Sequence, residues 1–404
     1  MKNRKRSVSS IIFVMVIVVS LLVPGLTVYA SPPDRYKIAA PDLVSVGDDM
    51  FACDRDASNM LVKLYSSGDL RKVLQKIEIT SEIIEHKGKL YYTVKYIGSR
   101  YLYLQCYDPE NASRSDISDK ITGNLMGVTD SGCIISSNGK FSLYSSNGTR
   151  TLMKGTAGMN FIAANNRYAF FSKLVSTTKQ GGSYKKKINI YRYSTSDNKL
   201  AKIKYLTYTY PSDNNTIDLS GYVFDNNNIV FGLNFYADRF ADVYFMNANG
   251  SNIKKLCERT GLVPNISNNC VYFSQENNRT VRVDQNGKVK TLTSKDGGVI
   301  IGQNTKSQYV VLRNNNTENA ELYIYSSLSK APIRSLIKLP ANTVPGKVSN
   351  KKITVNGMSG DVVFITARID TDTHEFVGDY IINSRTGKST LISNYTKLRL
   401  LREW

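Results

Sequence analysis

The sequence predicts an all-β fold assembled from repeated hairpins, and three observations carry that expectation. Residues 242–293 hold the same phrase twice: a short run alternating apolar and polar residues, a polar tip, and a second run ending Lys-x-Leu. The tips are Asn249-Gly250 and Asn286-Gly287, dipeptides that tolerate the positive φ values of a tight hairpin turn. Further copies flank these two at intervals close to the length of one four-stranded blade. A hairpin recurring in this way points to a β-propeller, with eight four-stranded blades expected, and seven as the alternative if one weak copy is an insertion.

The chain opens on a targeting segment. Lys2, Arg4, Lys5 and Arg6 precede an apolar run over residues 11–23, and Val28-Tyr29-Ala30 supplies a signal-peptidase site. Residues 1–30 are therefore a signal peptide and 31–404 a single propeller domain, exported and either released or held at the cell surface. The apolar run is short for a spanning helix and is broken by Pro24-Gly25, so a membrane enters only through an uncleaved anchor. Of the 53 basic residues four lie in this segment, which has no acidic residue, leaving 49 against 33 and a formal charge of +16. Such a charge draws anionic polymers whatever the specific function. Nucleic acid is excluded as a partner by export and by the absence of a recognised binding motif.

Taken in order, the hairpin tips fall at Gly68, Pro109, Gly148, Asp197, Gly250, Gly287, Ser329 and Gly387. Before most of them lies a nearly continuous apolar strand: residues 88–94, 166–172, 227–233, 269–274, 307–312 and 360–367. In a propeller these strands are buried on both faces between adjacent blades. The last strand candidate, residues 395–401, is expected to pair with the first blade and close the ring, which removes free sheet edges. No segment has helical periodicity of any length. The expected oligomeric state is a monomer.

Two phrases resemble known repeats. VYFMNANGSNIKKL (residues 243–256) is similar to the repeat of TolB-type propellers, and residues 271–292, with Tyr272-Phe273-Ser274-Gln275, resemble the repeat of YWTD-type propellers and related bacterial domains of unknown function. The tip here is Asn-Gly rather than Asp-Gly, and the single tryptophan is Trp404. The resemblance implies an architecture and brings no catalytic residue with it.

The catalytic inventory is thin. There is no Gly-x-Ser-x-Gly elbow and there are only two histidines, His86 and His374, so triad chemistry and histidine metal sites are poorly supplied. Carboxylates remain, and Asp48, Asp49, Asp225, Asp242 and Asp361 sit at strand edges from which a pair of them facing the channel would give a glycoside-hydrolase-like enzyme. The run Asp370-Thr371-Asp372-Thr373 has the alternation of a calcium loop but offers Glu375 and Ile381 where an EF-hand needs Gly and a bidentate acid. No cofactor, metal or catalytic residue is assigned. Candidate binding residues are Tyr101, Tyr103 and Tyr107, spaced for one strand face, and Lys185, Lys186 and Lys187, following the loop 177–184 with its Gly181-Gly182 hinge. Of the five cysteines, Cys257 and Cys270 flank one inter-repeat connection and are the candidate disulfide. The function expected is a non-catalytic scaffold binding an unknown protein or an anionic cell-envelope polymer, with the carbohydrate-active enzyme as the alternative.

Overall fold

The computed structural model describes residues 44–398 apart from 47–48, 55–59, 65–69, 74–76, 97, 211–217, 224–226, 235–239, 262–264, 268, 276–278, 316, 318 and 337–346. Residues 1–30, expected as a signal segment, and Gly68, Asp48, Asp225 and Trp404 lie outside the described residues. Among the described residues there is no helix, and the strands form eight antiparallel sheets in chain order. Sheets one to eight span residues 44–72, 77–121, 124–152, 160–210, 218–261, 265–292, 299–335 and 348–398. Each is a meander in which spatial and sequence order coincide. Every expected tip falls between the third and fourth strands of one sheet. Sheet two departs from four strands because its first strand is broken: Ile77–Ile79 and Ile84–His86 both pair with Lys89–Tyr96, and in the gap Ser81 Oγ accepts the Thr93 N–H at 2.9 Å.

Burial explains why the second strands are so apolar. Phe170 packs toward sheet five while Ala169 and Phe171 pack toward sheet three. Likewise Phe231 faces sheet four and Val230 faces sheet six, and Tyr272 and Phe273 divide between sheets seven and five. Alternate side chains of one strand thus fill two different clusters, and every junction between consecutive sheets has a cluster of its own. First strands of most neighbouring sheets lie against one another. There the backbone is crowded: a Cβ on Gly302 would sit 2.2 Å from Ser267 Oγ and 3.0 Å from Met358 Sδ.

Polar turns fix the common polarity of the sheets. The turn between first and second strands of sheet four presents Asn165, whose Nδ2 donates to Asn227 O and Ala248 O of sheet five, both at 2.9 Å. One sheet further on, Asn228 repeats the arrangement, donating to Gln285 O at 2.9 Å and accepting from the Ala248 N–H. Asp130 N–H donates to Asn166 O, and Asp361 accepts from Thr305 N–H and Oγ1. All these first-to-second turns therefore lie at one end, and the second-to-third turns lie at the other.

Two expectations are corrected. The strand Ser389–Leu398 pairs with His374–Asn383 of its own sheet, from Ser389 opposite Ile382 to Leu398 opposite His374. The turn at Gly387 delivers it there, so it is not a closing strand for sheet one, and no pairing joins sheets one and eight among the described residues. The Asn-Gly tips are not two-residue turns. At Asn247–Ser251 and Asp284–Lys288 the closing bond spans a three-residue loop, and only the glycine has positive φ, +79° at Gly250 and +72° at Gly287. This is a type I turn followed by a glycine bulge.

Candidate functional site

Sheet four is longer than its neighbours. Strands Tyr168–Gln180, Ser183–Ser194 and Lys199–Tyr210 run 13, 12 and 12 residues, whereas the first strand Asn160–Ala164 has five. The three extend beyond it as a β-ribbon at the end opposite the Asn165 turn. What reads in sequence as a loop, residues 177–184, is the paired tip of that ribbon: Gln180 opposes Ser183 across Gly181-Gly182. Gly181 has φ +62° and Gly182 does not share it, the pattern of a two-residue hairpin turn with glycine first.

Strand pairing splits the three lysines. Lys186 lies between Thr177 and Tyr208, on the face that carries Ile188 and Leu206 toward sheet five, and is buried. Lys185 and Lys187 take the opposite face because side chains alternate along a strand. There Lys185 lies between Thr178 and Thr209, and Lys187 between Ser176 and Thr207. The next row is Lys173, Asn189 and Tyr205. Lys187 Nζ stands 4.5 Å from the Tyr205 ring centroid, a cation–π contact, and Tyr205 is 57 % exposed. Residues 168–210 carry nine Lys and Arg and one acid, Asp197. That acid sits at the far end, in the third-to-fourth turn, where Ser194 and Ser196 donate to it and hold its carboxyl below the usual range. The exposed face is thus ammonium groups framed by hydroxyls, with one open aromatic ring. A groove bounded by Lys202, Ile203, Lys204 and Tyr205 runs beside it on the outer strand.

The other candidates are put to structural use. Tyr107 is buried with its ring 6.3 Å from Phe51 of sheet one, and Tyr103 stacks edge-on to Tyr96 at 4.8 Å. Tyr101 lies beneath the Arg100 guanidinium. Tyr103 and Tyr107 share the face that packs on sheet one, and Tyr101 precedes the strand. Cys257 and Cys270 are free thiols, so the expected pair is not made. Cys257 stands opposite Val243 in sheet five, and Cys270 opposite Asp284 in sheet six, where it accepts from Arg282 Nε at 3.1 Å.

Among the carboxylates, Asp49 pairs with Lys63, and buried Asp242 pairs with Lys255 Nζ at 2.7 Å. Burial pulls the Lys255 ammonium down, but Asp242 and Glu258 together hold it well above the ordinary lysine value. Asp361 is bonded to Thr305 across the sheet junction. His86 meets Asp130 at 3.0 Å, and His374 is the first residue of a strand rather than part of a loop. The 370–373 run is a hairpin turn in which Asp370 meets Arg368 and Asp372 accepts the Lys347 N–H. Among the described residues no three His, Cys, Asp or Glu converge as a metal site.

No protein-family model and no curated protein matches the chain. Solved structures do. The dipeptidyl peptidase 4 of Porphyromonas gingivalis superposes with a TM-score of 0.55 at 10% identity, over 89% of this chain and 60% of that one. The fold is of the β-propeller type. At such identity the likeness concerns the fold alone, and the chain spans less than two thirds of that peptidase. Weaker likenesses are to a post-proline cleaving enzyme from Rickettsia typhi (TM-score 0.45, 11% identity, 89% of this chain and 53% of that one). Another is to the β-propeller domain of the trilobed protease from Pyrococcus furiosus (0.38, 10%, 89% and 96%).

Proposed function

We propose that this protein is an exported, eight-bladed propeller of the TolB-like or YWTD-like repeat kind. Residues 31–404 would form one domain that acts as a non-catalytic scaffold binding an anionic protein or cell-envelope polymer. The observation that carries the binding reading is the sheet-four ribbon: Lys173, Lys185 and Lys187 share a face with Tyr205, and among the described residues of sheet four no acid lies on that face. Rigid blades presenting a divergent extension suit recognition. The described carboxylates that an enzyme reading needs are held in ion pairs and turn bonds, so no observation favours that alternative.

The test is retention of residues 31–404 on immobilised dextran sulfate and polyglutamate, with neutral dextran as control, at increasing salt. The double variant Lys185→Glu with Lys187→Glu should weaken binding about tenfold or more, because it reverses charge where the ligand sits. A second double variant, Lys306→Glu with Lys330→Glu, changes net charge equally but in sheet seven and should weaken it far less. Equal losses would reduce the effect to net charge and remove the ribbon from the reading, as would no retention at low salt.

A further inference from the structure

The fourth strand of each sheet is its outer edge, and the edge of sheet four is unlike the others. Its strand Lys199–Tyr210 is interrupted once, by a bulge at Ile203, after which seven residues from Lys204 to Tyr210 keep unbroken register with their partners. No other described edge has so long a regular run. The edge of sheet two, Ser113–Ile121, changes register twice, and that of sheet seven has two residues, Arg334–Ser335. Among the described residues no strand pairs with the outer side of Lys199–Tyr210. Natural strands run to about five or six residues, so this edge offers a full strand's length of main-chain donors and acceptors.

Its side chains select the kind of strand that fits. Lys204, Tyr205, Thr207 and Thr209 are exposed, and Tyr205, Thr207 and Thr209 are residues that favour extended chain. Lys199 and Lys202 continue the exposed edge toward the third-to-fourth turn. Because this edge is basic, a second copy of it is repelled, while an acidic strand is attracted. The bulge brings Ile203 and Lys204 to the sheet-five side, where Lys204 Nζ donates to Ile253 O at 2.6 Å. Lys202 and Tyr205 remain on the opposite face, and the four residues together bound the groove.

We infer that the partner is an extended, acidic peptide segment that adds to sheet four as a fifth, antiparallel strand along Lys204 to Tyr210. Its carboxylates would meet Lys202 and the ribbon lysines, and a side chain would cover Tyr205. This deepens the binding-scaffold reading and rests on it. Main-chain bonds to the edge supply affinity, and the lysines supply the preference for acid.

Residues 31–404 are titrated with a synthetic peptide of alternating Glu and Val, the same peptide N-methylated at alternate positions in either phase, and dextran sulfate. The unmethylated peptide should bind, at least one methylated form should bind about tenfold or more weakly, and Lys202→Glu should weaken the peptide about as much. Methylation leaves the protein untouched, so that loss cannot come from misfolding. If both methylated forms bind as well as the parent, or if only dextran sulfate binds, strand addition is overturned while the basic ribbon stands as the binding surface. If neither ligand binds, both readings fall.

Discussion

Gly287 and Gly387 each end a third-to-fourth turn, in sheets six and eight, with positive φ, +72° and +78°, yet differ in what lies above them. A Cβ on Gly287 would come within 2.8 Å of the Phe245 ring, a buried side chain of the preceding sheet. On Gly387 it would meet only the end of Arg334, at 3.4 Å. Gly387→Ala should therefore cost about 1 kcal/mol, the strain of the left-handed backbone alone. Gly287→Ala should cost roughly 2 to 4 kcal/mol, because the ring has nowhere to move. Urea midpoints of the two variants check the difference, and equal losses would show that the tips do not dock on the sheet before them. The glycines were legible in the sequence as turn residues. That Asn249 and Asn286 keep ordinary φ was not, because an Asn-Gly pair serves both a two-residue turn and a three-residue loop, and only the pairing of the flanking strands decides between them.

The elements were legible where hydrophobicity is periodic, and less so where polar residues build strands. All eight tips and the doubly buried second strands follow from alternation and turn residues. The ribbon does not, because residues 175–187, with their serines, threonines, lysines and glycines, carry the composition of a loop. Tertiary pairing with Lys199–Tyr210 overrides that composition and assigns Lys186 to the core side and its two neighbours to the surface. A similar limit applies to Asn165, an unremarkable turn residue in sequence. It is 3 % exposed and makes four side-chain bonds: two donated to Asn227 O and Ala248 O, two accepted from the Arg167 and Tyr168 N–H groups. Replacing it with Ala leaves two carbonyls of sheet five without their donor and should cost about 2 to 3 kcal/mol. Asn165→Asp keeps the two accepted bonds but sets a carboxylate against those carbonyls, and should be at least as destabilising. Chemical denaturation of both variants, with Asn166→Ala as a comparison that keeps all four bonds, tests whether this turn ties the sheets together.

Across the whole molecule, burial is spread through the sheet junctions, and this makes alkaline pH a probe of the assembly. Burial pushes the Cys133 and Cys257 thiols and the Tyr380 phenol up to about 12, from ordinary values of 9.0 and 10.0. They sit in sheets three, five and eight. In the unfolded chain these groups lose their protons near the ordinary values, whereas in the folded protein they stay neutral until about 12. Stability is therefore complete below about pH 9 and falls as pH rises toward 12, each group contributing a slope of up to about 1.4 kcal/mol per pH unit once past its unfolded value. Tyr380 sharpens the test because its buried hydroxyl has no hydrogen-bond partner among the described residues. Removing that hydroxyl in Tyr380→Phe should be neutral or slightly stabilising at about pH 7, since an unpaired buried polar group is itself a cost. The same variant should hold its denaturation midpoint better than the parent at about pH 11, where the phenol of the unfolded parent is ionised. A parent midpoint that stays flat from neutral pH to about pH 11 would mean that these groups ionise as freely in the folded chain as in the unfolded one, and that the junctions are open to water.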